Sequence, residues 1–171
     1  MDLRDVPLHI DREFIAHEPV MRVLDPVYWT AVTDEGRAAY DASLAAFSTR
    51  QRQALGVFWY GAEVDNGGHV QFFENSTGQV WRDALGGLEA MGLEAYAALL
   101  REAAERLGPD LPDDQEERQE RLGFTGAQFD DLDRAFDKLR KEKDLLSALE
   151  DWVREHADDF LFEGVIRMPE A

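Results

Sequence analysis

Glu63, Asp65, His69 and Glu74 are the side chains whose types and spacing come nearest to a chemical centre. They lie in the run Glu63-Val-Asp-Asn-Gly-Gly-His-Val-Gln-Phe-Phe-Glu-Asn-Ser-Thr-Gly78. Three carboxylates and an imidazole on one short segment have the donor types of a metal-binding protein or a metal-dependent hydrolase. Glu63, Asp65, Gly68, Gln71 and Glu74 also fall on positions 1, 3, 6, 9 and 12 of a calcium-loop template, but Glu at position 1 and Gly67 at position 5 fit it poorly. No His-x-x-x-His or Glu-x-x-His spacing occurs, and His9, His17, His69 and His156 are scattered. The chain has no cysteine, hence no thiolate ligand or nucleophile. It carries no Gly-x-Ser-x-Gly elbow, P-loop or Gly-x-Gly-x-x-Gly. The expectation is a protein that is not an enzyme, with no cofactor and no metal, and the cation site is the minority reading.

The same run has a structural reading. Gly67 and Gly68 permit backbone turns closed to other residues, and Asn66 tolerates the left-handed region. Gln71, Asn75 and Ser76 can satisfy backbone groups left free at helix ends, while Phe72 and Phe73 fill a core. Glu63, Asn66, Gly67, Gly68, Gln71, Phe72, Phe73, Asn75, Ser76 and Gly78 are then parts of a fold-building motif.

Charge is the second signal. Asp plus Glu number 36 against 18 Lys plus Arg, a formal net charge of -18. Residues 109–171 hold nineteen acidic and nine basic residues, more than half of the excess. With 44% hydrophobic and 11% aromatic residues, this acidity belongs to a folded body. A surface of this sign disfavours direct contact with nucleic acid or an anionic membrane and favours cationic partners. If their segments are helical, Asp113, Glu116, Glu117 and Glu120 share one face, and so do Asp130, Asp133 and Asp137. A third row comprises Asp144, Asp151, Glu155 and Asp158 or Asp159. Neighbours three or four apart stand about 5–6 Å from one another at Cβ, comparable to the charge repeat of a nucleic-acid backbone. Folding has no need of such rows, since like charges at this spacing cost a few tenths of a kcal/mol per pair. The bland alternative is a solvated acidic face, interrupted by Lys138, Arg140, Lys141 and Lys143.

The elements that must position these residues read as helices. Thr33 to Phe47 has an acidic first turn and an apolar stripe. Ser48-Thr-Arg-Gln51 is a capping box that opens a helix through Ala54, Leu55, Phe58, Trp59 and Ala62, apolar on several sides and so central. Gly67-Gly68 must bend or end it. A helix from near Gln79, an amphipathic helix over Leu93 to Leu107, and an acidic connector over 109–124 with a helical second half follow. Thr125-Gly-Ala-Gln128 repeats the capping-box pattern before a Phe129, Leu132, Phe136, Leu139 stripe, and a last helix runs over Asp144 to Phe160. Asp25-Pro26 reads as an N-cap followed by proline at the first helical position. The predicted class is all-α: one domain over 1–171 with six to eight helices, a glycine break at the motif, an N-terminal arm with short helices (1–32), a helical core (33–160) and a tail (161–171) that is a short strand or an arm. No alternating strand stands out. The N-terminus has no apolar signal-peptide region and no stretch is long enough to span a bilayer, so the expected location is cytoplasmic.

The Glu63–Gly78 run resembles the signature of a bacterial family, the DNA-mimic-protein-nineteen-like proteins. That signature is an acidic residue, then Asn-Gly-Gly, Gln-Phe-Phe and Asn-Ser-Ser/Thr-Gly. Here it reads Glu63, Asn66-Gly67-Gly68, Gln71-Phe72-Phe73 and Asn75-Ser76-Thr77-Gly78, with His69 where an aromatic is common. Ala84-Leu85 through Met91–Tyr96, and Phe129–Asp133 through Trp152–His156 and Phe160, add weaker likeness, so the resemblance covers about residues 40 to 160. It implies a small helical protein that displays carboxylates in a phosphate-like array and occupies the DNA-binding surface of a basic DNA-binding protein, such as a transcriptional regulator or nucleoid protein. The expected partner contacts are Asp113, Glu116, Glu117, Glu120, Asp130, Asp133 and Asp137. A homodimer would lengthen such a surface. The rival readings are an immunity protein or antitoxin against a basic toxin, and the metal or hydrolase centre at Glu63, Asp65, His69 and Glu74.

Overall fold

A kinked helical span of 26 residues organises the molecule. In a computed structural model that describes residues 3–169, α4 spans Thr49–Glu74 and packs against helices on several sides. Its start is fixed by the capping box foreseen in the sequence: Ser48 Oγ accepts from Gln51 N–H (3.1 Å), and Gln51 Oε1 accepts from Ser48 N–H (2.9 Å). Ala54, Leu55, Val57, Tyr60 and Val64 are buried along it. Phe72 and Phe73, fully buried near its end, contribute about 2–3 kcal/mol each by the area they remove from water.

The order is β1 (Leu3–Ile10), α1 (Arg12–His17), α2 (Val20–Thr30), α3 (Arg37–Ser43), α4, a 3-10 turn over Ser76–Val80, α5 (Trp81–Ala90), α6 (Glu94–Arg106), α7 (Gln115–Thr125), α8 (Asp130–Glu142), α9 (Leu145–Glu155), a second 3-10 turn over Ala157–Asp159, and β2 (Phe162–Pro169). The protein is mostly helical, with nine α-helices among the described residues. This is compatible with the all-α expectation, to which β1 and β2 add a small antiparallel ribbon registered from Leu3↔Pro169 to Ile10↔Phe162. The expected tail is therefore a strand, and the first part of the expected arm is its partner. Val6, Leu8 and Ile10 turn inward opposite Ile166, Gly164 and Phe162, and Asp5 and Arg167 pair on the outer face at 3.2 Å. The alternation was hidden by Pro7 and by charges, and a strand whose only partner lies at the far end of the chain leaves no local hairpin signal. Proline is tolerated in a two-stranded ribbon, where each strand has a free edge.

Several helix boundaries differ from the sequence reading; the last helix, expected to reach Phe160, closes at Glu155. Pro26 lies inside α2 instead of opening a helix, and Asp25 accepts from Arg22 Nε (3.1 Å) and Trp29 Nε1 (3.2 Å). The Thr33–Phe47 helix shrinks to α3, which begins after Gly36. Thr125 closes α7 instead of capping α8, its hydroxyl donating to the Arg121 carbonyl (2.9 Å).

Close packing of α4 on α5 requires glycine at position 56. A Cβ there would lie 2.7 Å from the Ala84 backbone nitrogen, so the two backbones meet where no side chain fits. No helix among the described residues is long and apolar enough to cross a membrane.

Candidate partner-binding site

The signature run sits at the end of α4, where Gly67 (φ -154°, ψ 18°) and Gly68 (φ 76°, ψ -178°) leave helical geometry in a kink between two helical stretches. Past this kink the segment folds back on Glu63. The Glu63 carboxylate accepts from Gln71 Nε2 (2.6 Å) and Asn75 Nδ2 (2.9 Å) on Oε2, and from Thr77 Oγ1 (2.7 Å) on Oε1. Asn66 Nδ2 donates to Gln71 Oε1 (3.1 Å). The amides and hydroxyl of the motif are thus knotted to one carboxylate.

His69 is 0% exposed and follows the kink. Asp133 Oδ1, from the first turn of α8, accepts both the His69 backbone N–H (2.9 Å) and the ring Nδ1–H (2.6 Å). With the proton on Nδ1, Nε2 accepts from the Tyr60 hydroxyl (2.9 Å). Burial pulls the imidazole below its ordinary 6.5, with Asp133 opposing. Burial likewise pushes the Tyr60 hydroxyl well above 10, helped by the Asp133 charge. A Tyr–His–carboxylate relay of this kind is chemically competent, yet Tyr60 is also 0% exposed, behind Phe72 and Phe136. The Tyr60 and His69 end of the relay is closed off from solvent, and the relay ties α8 to α4.

Gly68 makes that lock possible. Its φ is positive, and a Cβ there would collide with the Asp133 carboxylate. Gly68→Ala is expected to destabilise the fold by about 2–3 kcal/mol, from left-handed strain plus displacement of Asp133. Urea denaturation reads this, and a midpoint unchanged from wild type would contradict the assigned contact.

The cation-site residues do not converge. Both oxygens of Glu63 and both ring nitrogens of His69 are engaged as above, and Asp65 lies 3.3 Å from Arg140 Nε. Among the described residues no group of three or more His, Cys, Asp or Glu is placed to hold a metal ion.

A buried arginine that the sequence reading missed lies across the motif. Arg118, in α7, is 0% exposed. It donates from Nε to the Phe73 carbonyl (3.0 Å), from Nη2 to that of Asn75 (2.8 Å), and from Nη1 to those of Asp113 (2.5 Å) and Pro112 (3.4 Å). Burial draws it down to about 10, so it stays charged at neutral pH. Gln115 and Gln119 Nε2 both donate to the Glu74 carbonyl at 2.9 Å. One face of α7 is therefore bound to the end of α4, and the spacing 115, 118, 119 was a readable helical stripe, though polar where stripes are sought among apolar residues.

The opposite face of α7 carries Glu116, Glu117 and Glu120, all exposed and none within ion-pair distance of a basic side chain among the described residues. Asp113, grouped with them in the sequence reading, precedes the helix: Asp114 is its N-cap, accepting from Glu117 N–H (3.0 Å), and Asp113 pairs with Arg82. On α8, Asp130 is exposed and likewise unpaired. Asp131 forms a two-pronged bond with Arg106 of α6 (2.7 Å to each oxygen), which holds it well below the usual carboxylate range. Asp133 is taken by His69, and Asp137 stands 3.7 Å from Arg140. In the third row, Asp144 caps α9, while Asp158 and Asp159 meet Arg12 (2.5 Å) and Arg50 (2.7 Å). The rows are thus thinned by pairing; Asp151 and Glu155 on α9 stay exposed and unpaired among the described residues, and the outer face of α7 keeps all three of its glutamates unpaired.

A protein-family model described as DMP19-like protein matches residues 45–156, which contain the signature run, α7 and α8. No curated protein and no solved structure matches the chain.

Proposed function

We propose that this chain, which belongs to the DMP19-like protein family, is an acidic, non-catalytic binding protein that acts as a DNA mimic on the DNA-binding surface of a basic protein, such as a transcriptional regulator. The observation that carries this reading is the outer face of α7. Glu116, Glu117 and Glu120 are held out to solvent, unpaired among the described residues, by a helix whose other face is fixed to the core through a buried arginine. A rigid row of unpaired carboxylates binds through charge complementarity and release of the partner's counterions, and so with strong salt dependence. Asp130 and Asp137 on α8 are the further contacts of this reading. Asp113 and Asp133, the other two expected contacts, are also paired within the fold, to Arg82 and His69.

The test is displacement. The protein is immobilised, host lysate is loaded at low salt, and bound material is eluted with duplex DNA. A DNA-binding protein released by DNA supports mimicry. A tightly held partner indifferent to DNA would move the reading to an immunity protein or antitoxin. With the partner in hand, neutralising Glu116, Glu117, Glu120 and Asp130 as Gln and Asn is expected to weaken binding about tenfold or more at low salt and to flatten its salt dependence. Unchanged affinity and slope would remove α7 and α8 from the interface.

A further inference from the structure

Phe124, in the last turn of α7, is 94% exposed, the most exposed large apolar side chain among the described residues. It borders an open groove of about 820 Å³ whose lining includes Leu107, Pro109 and Pro112, with Glu117 and Glu120 alongside. Arg121, the one basic side chain lining the groove, is turned onto the Pro109 carbonyl. An aromatic ring and two prolines beside unpaired carboxylates are not what imitation of phosphate requires, because a nucleic-acid backbone offers no apolar counterpart.

We infer that this groove receives an apolar side chain from a cationic segment of the partner. Lys or Arg residues of that segment meet Glu117 and Glu120, while its apolar side chain packs between Phe124 and the prolines. The inference rests on the reading of α7 as the partner-facing helix and adds to it the means of choosing among basic proteins. Charge steers many cationic surfaces to α7 with little discrimination. A desolvated aromatic anchor beside the charges selects those that carry an apolar side chain at the matching place. The occupant is a protein segment with one apolar side chain flanked by basic ones, since the carboxylates at the rim repel an acidic segment and give a neutral one no charge attraction.

The test uses two synthetic helical peptides of identical Lys and Arg content. One carries leucines along one face, and in the other these are glutamines. Binding to the full chain is followed by fluorescence anisotropy over a range of salt. The leucine peptide is expected to bind wild type about tenfold more tightly than the glutamine peptide, the scale of burying one large apolar side chain. Phe124→Ser should abolish that preference and leave the salt slope unchanged. Its ring is too exposed for the fold to depend on it, so the melting temperature should not move. Glu116→Gln/Glu117→Gln/Glu120→Gln should reduce the salt slope for both peptides and keep the preference. A Phe124→Ser variant that retains the tenfold preference overturns the groove while leaving α7 as the cationic-partner face. A triple variant with an unaltered salt slope, or a wild type that binds neither peptide at low salt, sinks the α7 reading itself and the groove with it.

Discussion

Arg118→Met is expected to lower stability by about 3–5 kcal/mol. Methionine fills similar space without a donor, so the carbonyls of Phe73, Asn75, Asp113 and Pro112 lose the guanidinium that serves them. Each buried acceptor left unmade costs about 1–3 kcal/mol, and relaxation of the 109–114 connector recovers part of the total. For a chain of this size each kcal/mol moves the melting temperature by about 2–4 °C, so a fall on the order of 10 °C is expected. Amide exchange should accelerate first in α7, whose remaining ties to α4 include the Gln115 and Gln119 amides on Glu74. Arg118→Lys should fall between, keeping the charge with a shorter reach and fewer directed donors. A loss below about 1 kcal/mol for Met would mean that packing alone holds α7. The same variant should also weaken partner binding although no carboxylate is altered, because rigidity of the outer face depends on the inner one.

This dependence explains what the sequence could and could not disclose. The helices with apolar stripes were legible: the capping box at Ser48, the Leu93–Leu107 amphipathic stretch and the Phe129–Leu139 stripe all report burial through side-chain type. Arg118 and Gln119 gave no such report. A buried arginine looks like a surface residue until the carbonyls that satisfy it are placed around it, and those come from the end of α4 and the connector. The ribbon failed for a related reason, since β1 and β2 stand at opposite ends of the chain and neither is stable or recognisable without the other. The acidic rows show the same limit. Helical spacing puts Asp130, Asp133 and Asp137 on one face, but cannot tell that Asp133 reaches inward to His69 while Asp130 stays in water. The glycines at 67 and 68 leave helical geometry in a kink. Their purpose, admitting the carboxylate of a helix some sixty residues away, is a tertiary fact.

Asp133 and His69 give the second large effect. Asp133→Ala removes the acceptor of two charge-assisted bonds, leaving the His69 N–H and ring Nδ1–H unmet inside the protein, at a cost of about 3–4 kcal/mol. The pair also carries a pH signature. Burial lowers the folded-state value of His69 below 6.5, so between that lowered value and 6.5 the unfolded chain binds a proton that the native chain refuses. Stability from this residue is therefore complete above about pH 6.5 and is lost as pH falls through the window beneath it, at up to about 1.4 kcal/mol per pH unit. His69→Gln keeps a donor for Asp133 and an acceptor for Tyr60 but has nothing to titrate. Urea denaturation at intervals from pH 7.5 to about pH 5 should show a steeper decline for wild type than for His69→Gln, while the many surface carboxylates contribute equally to both. Identical slopes would show that His69 gains its proton without disturbing the lock. In wild type the added proton goes to Nε2, where it opposes the bond from the Tyr60 hydroxyl, while the Nδ1–H bond to Asp133 is kept.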